Sequence, residues 1–331
     1  MFKNVTLKDI AKECGCSVTT VSRALKDSDT LPQATKDKIN QTANAMGYIP
    51  NSVATSMRTG STRTIGVCVQ DFRNPFYSSI AKYTEQYLRS KNYFALFATT
   101  NEEPEQEYNV IKSFLSKNVD GILLLPIQHD TQAVDLLLEQ KKPFVLVGRQ
   151  FEQLNTNSLV TADEEGGYLI TNYLISKNAR KILFLNAEES ISSAKNRRAG
   201  YMRALEEHGL EPFVFNLSME YGKTREFLIP FSAELAQYDA ILVFCDIMGF
   251  EAYNTLLSMG YSIPQDMMLA SFDGLQQDII LPIELTCAAT DRKKMAEQAV
   301  DMLLELIDHE QPSPNLQHIV IDQYLLEGNT T

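Results

Sequence analysis

From residue 64 onward the chain repeats one rhythm of apolar and polar positions. A short run rich in β-branched and aromatic residues is followed by a polar turn, then by a longer stretch whose apolar residues recur every three or four positions. The runs predict strands at 64–69, 93–98, 120–125, 143–148, 181–186, 212–216, 239–244 and 267–272. The amphipathic stretches predict helices at 75–91, 104–117, 131–140, 164–177, 194–208, 222–236 and 247–260. Strands alternating with helices give a parallel sheet covered on both faces. Eight such units could close one barrel, but residues 150–163 (QFEQLNTNSLVTAD) carry no helical pattern and break the series. The break favours two doubly wound α/β halves with a ligand cleft between them.

The first sixty residues have a different pattern, three short helices and no strand. The first, about 7–13, is entered at Thr6, whose hydroxyl and the acidic Asp9 three positions on form a capping box, and Gly15 supplies the turn that follows. The second opens at Ser17 and runs to Leu25, where Val21, Ala24 and Leu25 can pack on Leu7, Ile10 and Ala11. That packing leaves Val18, Thr19, Ser22 and Arg23 facing outwards. A third helix, about 33–46, follows Pro32 and stops at Gly47. Two helices joined by a tight turn and braced by a third form a helix-turn-helix, whose second helix fits a DNA major groove. Arg23 can fork onto guanine O6 and N7, Val18 and Thr19 can meet thymine methyls or base edges, and Ser17, Thr20 and Ser22 can reach phosphates. The plain alternative is a three-helix bundle with a polar face.

Charge sharpens the division. The 331 residues carry 30 Lys+Arg against 42 Asp+Glu, a formal net charge of -12 that would ordinarily argue against a nucleic-acid partner. Residues 1–64, however, hold nine basic and five acidic residues and are +4, leaving a body of -16. A small basic head on a large acidic body suits a segment that meets a polyanion joined to one that does something else.

The remaining chemistry is mostly exclusion. Cys14, Cys16, Cys68, Cys245 and Cys287 are odd in number and scattered, and Met1-Phe2-Lys3 leads into no apolar leader, so a cytoplasmic chain with reduced thiols is expected. Cys14-Gly15-Cys16 has no complementary Cys or His cluster, so neither metal nor cofactor is expected. No apolar run approaches the roughly 20 residues a membrane span needs. Glycine-rich phosphate loops, nucleophile elbows and zinc-protease motifs are all missing, which points away from an enzyme.

The strings VTLKDIAKECGCSVTTVSRAL and GYIPNSVATSMRTGSTRTIGVCVQDFRNPF are more specific, and they continue as DGILLLP, NRRAGYMRAL, IPQDMMLASFDG and a final helix at 292–309. Together they resemble the lactose- and galactose-repressor (LacI/GalR) family of bacterial transcription regulators over essentially the whole chain. The resemblance implies a helix-turn-helix head at 1–50, a hinge helix and linker at 51–63, and a two-lobed periplasmic-binding-protein-like α/β sensor and dimerisation domain at 64–331. Lobe 1 would comprise about 64–161 plus 292–320, and lobe 2 about 162–291 plus 321–331.

The same resemblance adds Thr6, Lys26, Tyr48, Asn51, Met57 and Arg58 to the DNA-facing set, with Arg63 a further phosphate contact. It implies that Asn51–Met57 folds into a hinge helix only when two subunits lie side by side on a pseudo-palindromic operator. Met57, where the family usually has leucine, would wedge into the minor groove. Seven residues are too few for a helix to stand alone, so coupling its folding to partner and DNA makes thermodynamic sense.

For the sensor, the resemblance places effector-binding residues at Asp71, Asn74, Phe76, Arg149, Arg197, Asp246 and Asp273. Gly148 stands where an aspartate is frequent, Cys245 where asparagine is common, Gly249-Phe250-Glu251 where a small Ala-x-Gly is usual, and Thr290-Asp291 where Gln-Pro is frequent. With fewer polar partners opposite Arg149 and Arg197, an anionic effector such as a sugar phosphate is expected beside plain sugars. The closing QYLLEGNTT carries no leucine heptads, so a homodimer is expected rather than a tetramer. The functional expectation is a repressor of a carbohydrate-utilisation operon; the alternative is a sugar-binding or sugar-processing α/β protein with a vestigial head.

Overall fold

The computed structural model describes residues 5–26, 29–50, 56, 59–308 and 316–331. The chain divides into two compact units, Met1–Thr62 and Arg63–Thr331.

In the first unit α1 (Leu7–Cys14), α2 (Val18–Ala24) and α3 (Gln33–Ala45) close around Ile10, Ala11, Val21, Ala24, Ile39 and Ala43. The caps follow from side-chain chemistry. Thr6 accepts from the Asp9 amide at 3.4 Å and the Asp9 carboxylate accepts from the Thr6 amide at 2.9 Å, so two orphan donors are satisfied at once. Gly15, with φ 70°, takes the left-handed turn that ends α1. Ser17 caps α2 by accepting from the Thr20 amide at 3.0 Å. Burying Ile10, Val21 and Ile39 contributes about 1.5–3 kcal/mol each. Cys14 and Cys16 pack against this core, the place their sequence context suggests.

The second unit is built on two six-stranded sheets. The first runs β11 (His318–Ile321), β5 (Ser158–Thr161), β4 (Phe144–Val147), β3 (Gly121–Leu124), β1 (Thr64–Val69), β2 (Phe94–Thr99), with every pair parallel. The second runs β12 (Gln323–Leu326), β10 (Thr286–Thr290), β9 (Met268–Asp273), β8 (Ala240–Val243), β6 (Ile182–Asn186), β7 (Phe213–Asn216), antiparallel only where β12 meets β10. Around the first sheet lie α4 (Pro75–Ser90), α5 (Pro104–Ser116), α6 (Gln132–Glu139) and α12 (Arg292–Asp308). Around the second lie α7 (Asp163–Ser176), α8 (Ser192–Glu207), α9 (Lys223–Leu228), α10 (Ser232–Leu235) and α11 (Asp246–Ser258). The chain passes between the lobes near 162, 291 and 322.

The eight expected strands are present, and four short ones join them: β5, β10, β11 and β12. β5 lies in the stretch whose lost periodicity argued against a single barrel. The single helix expected at 222–236 is instead two, α9 and α10, because Pro230 lacks the amide a continuous helix requires and restricts Ile229 before it.

One packing contact positions the ligand cleft. α7 and α8 cross so closely that a Cβ on Gly200 would stand 1.9 Å from the Glu164 carbonyl oxygen, and one on Gly167 2.3 Å from that of Arg197. Both obstructions are backbone, which cannot swing aside. The approach brings Arg197 of α8 against Asp163, the first residue of α7. Gly200→Ala is therefore expected to lower stability by about 1–3 kcal/mol, read as an earlier urea midpoint; an unchanged midpoint would show that the two helices separate without cost.

Candidate ligand cleft and DNA-reading face

On the head, Val18, Thr19, Arg23 and Lys26 are exposed and Ser22 is half-buried, so the outward side of α2 carries the side chains expected there. The Ser17 and Thr20 hydroxyls lie 2.8 Å apart, and the Thr6 hydroxyl donates to Asp9 at 2.7 Å. These three first serve the helix ends, keeping spare hydroxyl capacity for a phosphate. Tyr48 is half-buried against the head core. Asn51, Met57 and Arg58 lie outside the described residues.

In the second unit a cavity opens between the lobes at the carboxyl ends of parallel strands from both sheets, where open α/β sheets bind ligands. About 50 Å³ of free space remains in it. Gln70, Asn74, Phe76, Tyr77, Gly148, Arg149 and Thr161 line it from lobe 1, and Ser193, Arg197, Phe244, Cys245 and Asp273 from lobe 2.

Arg197 is the most heavily invested residue of the wall. Its Nε donates to Asp163 at 2.8 Å, its Nη1 to the Phe244 carbonyl at 2.5 Å, and its Nη2 stands 3.8 Å from Asp273. The guanidinium lies over the rings of Phe244 and Phe272, 4.5 and 4.4 Å from their centroids. Asp273 holds a positive φ of 95°, a backbone cost of the kind concentrated at functional positions. Burial pushes its carboxyl up while Arg197 opposes that rise. On the facing lobe Arg149 pairs with Glu102 at 3.1 and 3.3 Å and donates to the Pro126 carbonyl at 3.2 Å. The Cys245 thiol, pushed up to about 12 by burial and by Asp273, stays protonated and is no nucleophile.

Contacts between lobes flank the cavity. The Ser192 amide donates to Gln128 at 2.8 Å and Lys195 meets Glu152 at 2.6 Å. Elsewhere, the Tyr83 hydroxyl of α4 donates to Asp278 at 2.5 Å, and Arg292, at the head of α12, donates to the same carboxylate at 2.7 Å.

Residues 6–51 match the family described as bacterial regulatory proteins, lacI family, and residues 62–326 match the periplasmic binding proteins and sugar binding domain of the LacI family. The chain belongs to the LacI family. LacI-family relatives span nearly its full length. It is 27% identical over 308 residues to the HTH-type transcriptional repressor PurR of Mannheimia succiniciproducens, covering 92% of each chain. It is 28% identical over 326 residues to the ribose operon repressor of Haemophilus influenzae, covering 96% of each. The lac repressor dimer bound to operator and the anti-inducer ONPF shares the fold, with a TM-score of 0.86 at 21% identity and 99% of each chain covered. As a LacI-family protein the chain is a DNA-binding regulator and not an enzyme.

Of the seven effector residues expected from this LacI-family resemblance, Asn74, Phe76, Arg149, Arg197 and Asp273 line the cavity, and Asp71 and Asp246 do not. Asp71 folds back on its own loop, accepting from the Arg73 amide and Nε at 2.8 Å each, which holds its carboxyl low. Asp246 turns under the loop after β9, accepting from the Ser271 hydroxyl and from the Leu275 amide at 2.7 Å. Burial first, then Asp273, raises its pKa.

Sequence reasoning missed Gln70, Tyr77, Glu102, Asp163 and Glu107. Gln70 and Tyr77 sit beside residues that were picked; Gln70 directly follows β1, a strand-end position that could have found it, and Tyr77 lies in the first turn of α4 next to Phe76. Glu102 and Asp163 correct the expectation of few carboxylates: Arg149 and Arg197 face three, counting Asp273. Glu107, buried on α5, accepts from the Ile127 amide at 2.8 Å and so braces the loop behind the cavity. Burial first, then Asp130, pushes its pKa up to about 7, against the hold of that amide. A carboxyl whose folded value is raised contributes stability that is complete below its ordinary 4.5 and is lost as pH climbs through about 7. Glu107→Gln, which keeps an acceptor for Ile127, should be the more stable protein above neutral pH by about 1–3 kcal/mol. Urea unfolding between about pH 5 and 8 checks this, and parallel curves for the two proteins would contradict it.

Proposed function

We propose that the protein is a cytoplasmic repressor that binds a pseudo-palindromic operator as a homodimer, with operator affinity set by a small hydroxylated effector held between the lobes. The observation that carries the DNA half is the outward side of α2: Val18, Thr19 and Arg23 exposed on a capped, core-anchored helix at the front of a basic head. A vestigial head would have no reason to keep that arrangement. Asn51, Met57 and Arg58 complete the reading as hinge and minor-groove contacts, with Met57 the wedge that bends the operator centre. The second copy is supported by Ile280, fully exposed beside Ile279 and Leu281 in the loop after β9, an apolar surface of the kind a partner covers.

For the effector half, the wall offers aromatic surface from Phe76 and Phe244 and polar groups fixed from both sheets, the combination that meets a sugar ring. The relatives support a carbohydrate: one of them is a ribose operon repressor. Because both lobes contribute to the wall, an effector that changes how they close has unequal affinity for the two states. That inequality is what couples cleft to operator.

A gel shift with the protein's own promoter region tests the proposal. Arg23→Ala should weaken the complex by about 1–3 kcal/mol and relax the preference at one base pair. Met57→Ala should weaken it further while leaving sugar binding by the full-length protein unchanged. Wild-type binding should fall steeply with salt. Salt-independent retention, or full binding by both variants, would refute the assignment.

A further inference from the structure

The turn after β2 carries Glu102 in an unusual setting. Two successive non-glycine residues, Asn101 (φ 53°) and Glu102 (φ 59°), adopt left-handed backbone, which L-residues take only when surrounding structure insists. The Asn101 amide fixes the turn by donating at 2.7 Å to the carbonyl of Gln70, a residue of the cavity wall. So held, the Glu102 carboxylate takes both terminal nitrogens of Arg149, fork on fork, at 3.1 and 3.3 Å.

The consequence is electrical. Arg149 is buried on the cavity wall, and its other contacts, the Pro126 carbonyl at 3.2 Å and the Tyr77 hydroxyl at 3.5 Å, are neutral. Arg197 on the opposite lobe is matched by Asp163 and Asp273. Two guanidinium charges thus meet three carboxylates, and among the described residues of the wall no positive charge is left for a ligand. One wall residue also carries a buried acceptor. The Gln70 Nε2 donates to the Leu125 and Pro126 carbonyls at 2.9 and 3.3 Å, which fixes the amide's orientation and leaves its buried Oε1 without a partner among the described residues. A hydroxyl donor satisfies that oxygen, and an ionised phosphate or carboxylate oxygen, which has no hydrogen to give, does not.

We propose that Glu102 is a built-in counter-anion that sets the specificity of this cleft: by neutralising Arg149 it turns away phosphorylated and carboxylated ligands and leaves Gln70 to receive a neutral polyhydroxylated one. The inference rests on the reading of the cleft as the effector site. Glu102 is a specificity-determining residue, acting on the ligand through Arg149.

Inorganic phosphate is the direct probe, titrated by calorimetry into the full-length protein. Glu102→Gln should bind phosphate at least about tenfold more tightly than wild type, since it unmasks one buried positive charge. Glu102→Asp, which keeps the counter-charge, should not. Adding Arg149→Gln to Glu102→Gln should remove the gain. Equal phosphate affinity in wild type and Glu102→Gln overturns the proposal, as does a gain that survives loss of Arg149. Glu102→Ala, checked by circular dichroism, carries the test if the glutamine variant folds poorly. Ribose and glucose, set against ribose 5-phosphate and glucose 6-phosphate in the operator gel shift, separate the two readings. Indifference to every sugar counts against the effector assignment while the phosphate titration still decides Glu102. A wild-type response to the phosphorylated sugars alone sinks the Glu102 proposal.

Discussion

Arg197 places a guanidinium in a nearly buried position, and much of the second unit is arranged to make that tolerable. Taking an arginine out of water costs several kcal/mol unless charge and hydrogen bonds are returned. Here the return comes from separate elements: Asp163 at the start of α7, the Phe244 carbonyl after β8, Asp273 at the end of β9, and the rings of Phe244 and Phe272. Each must be in place at once. Gly167 and Gly200 exist in that packing because any side chain would hold α7 and α8 apart and leave the charge unmatched. The same residue that costs so much to bury also forms cavity wall, so the requirement for stability and the shape of the cleft are set by one network.

Around that network the lobes are joined by contacts of unequal worth. The Lys195–Glu152 pair is more than half exposed on both sides and contributes little on its own. Asp278, by contrast, is nearly buried and receives both Tyr83 from lobe 1 and Arg292 from the head of α12. A two-lobed fold with three chain crossings can rock about such a junction. On the proposed function, a ligand held between Arg149 and Arg197 reads the distance between the lobes. On that reading, a sugar-sized effector gains leverage over operator binding without any change in the fold of either lobe.

Much of the architecture was legible in periodicity alone. Apolar runs marked all eight of the expected strands, and the loss of pattern at 150–163 separated two halves from one barrel. The strands that went unread are four or five residues long and lie at or near the crossings, where the burial pattern depends on which sheet they join. Within the site, Asn74, Phe76, Arg149, Arg197 and Asp273 were reached through the family resemblance, and all five line the cavity. Asp71 and Asp246 were reached the same way, yet they turn to neighbours, Arg73 in one case and the Leu275 amide in the other. Nothing local distinguishes a carboxylate that faces a cavity from one that closes a loop.

The sequence by itself determined the division into a basic head and an acidic body, the caps and core of the three head helices, and the alternation that builds both sheets. These depend on interactions among residues close in the chain, or on a hydrophobic pattern that any core must satisfy. Only the tertiary structure decided the charge of the cleft. Glu102 and Arg149 are 47 residues apart, and Arg197 is 34 residues from Asp163. Whether such groups meet is settled by how sheets and helices pack, and that packing turned two apparently free arginines into neutralised ones.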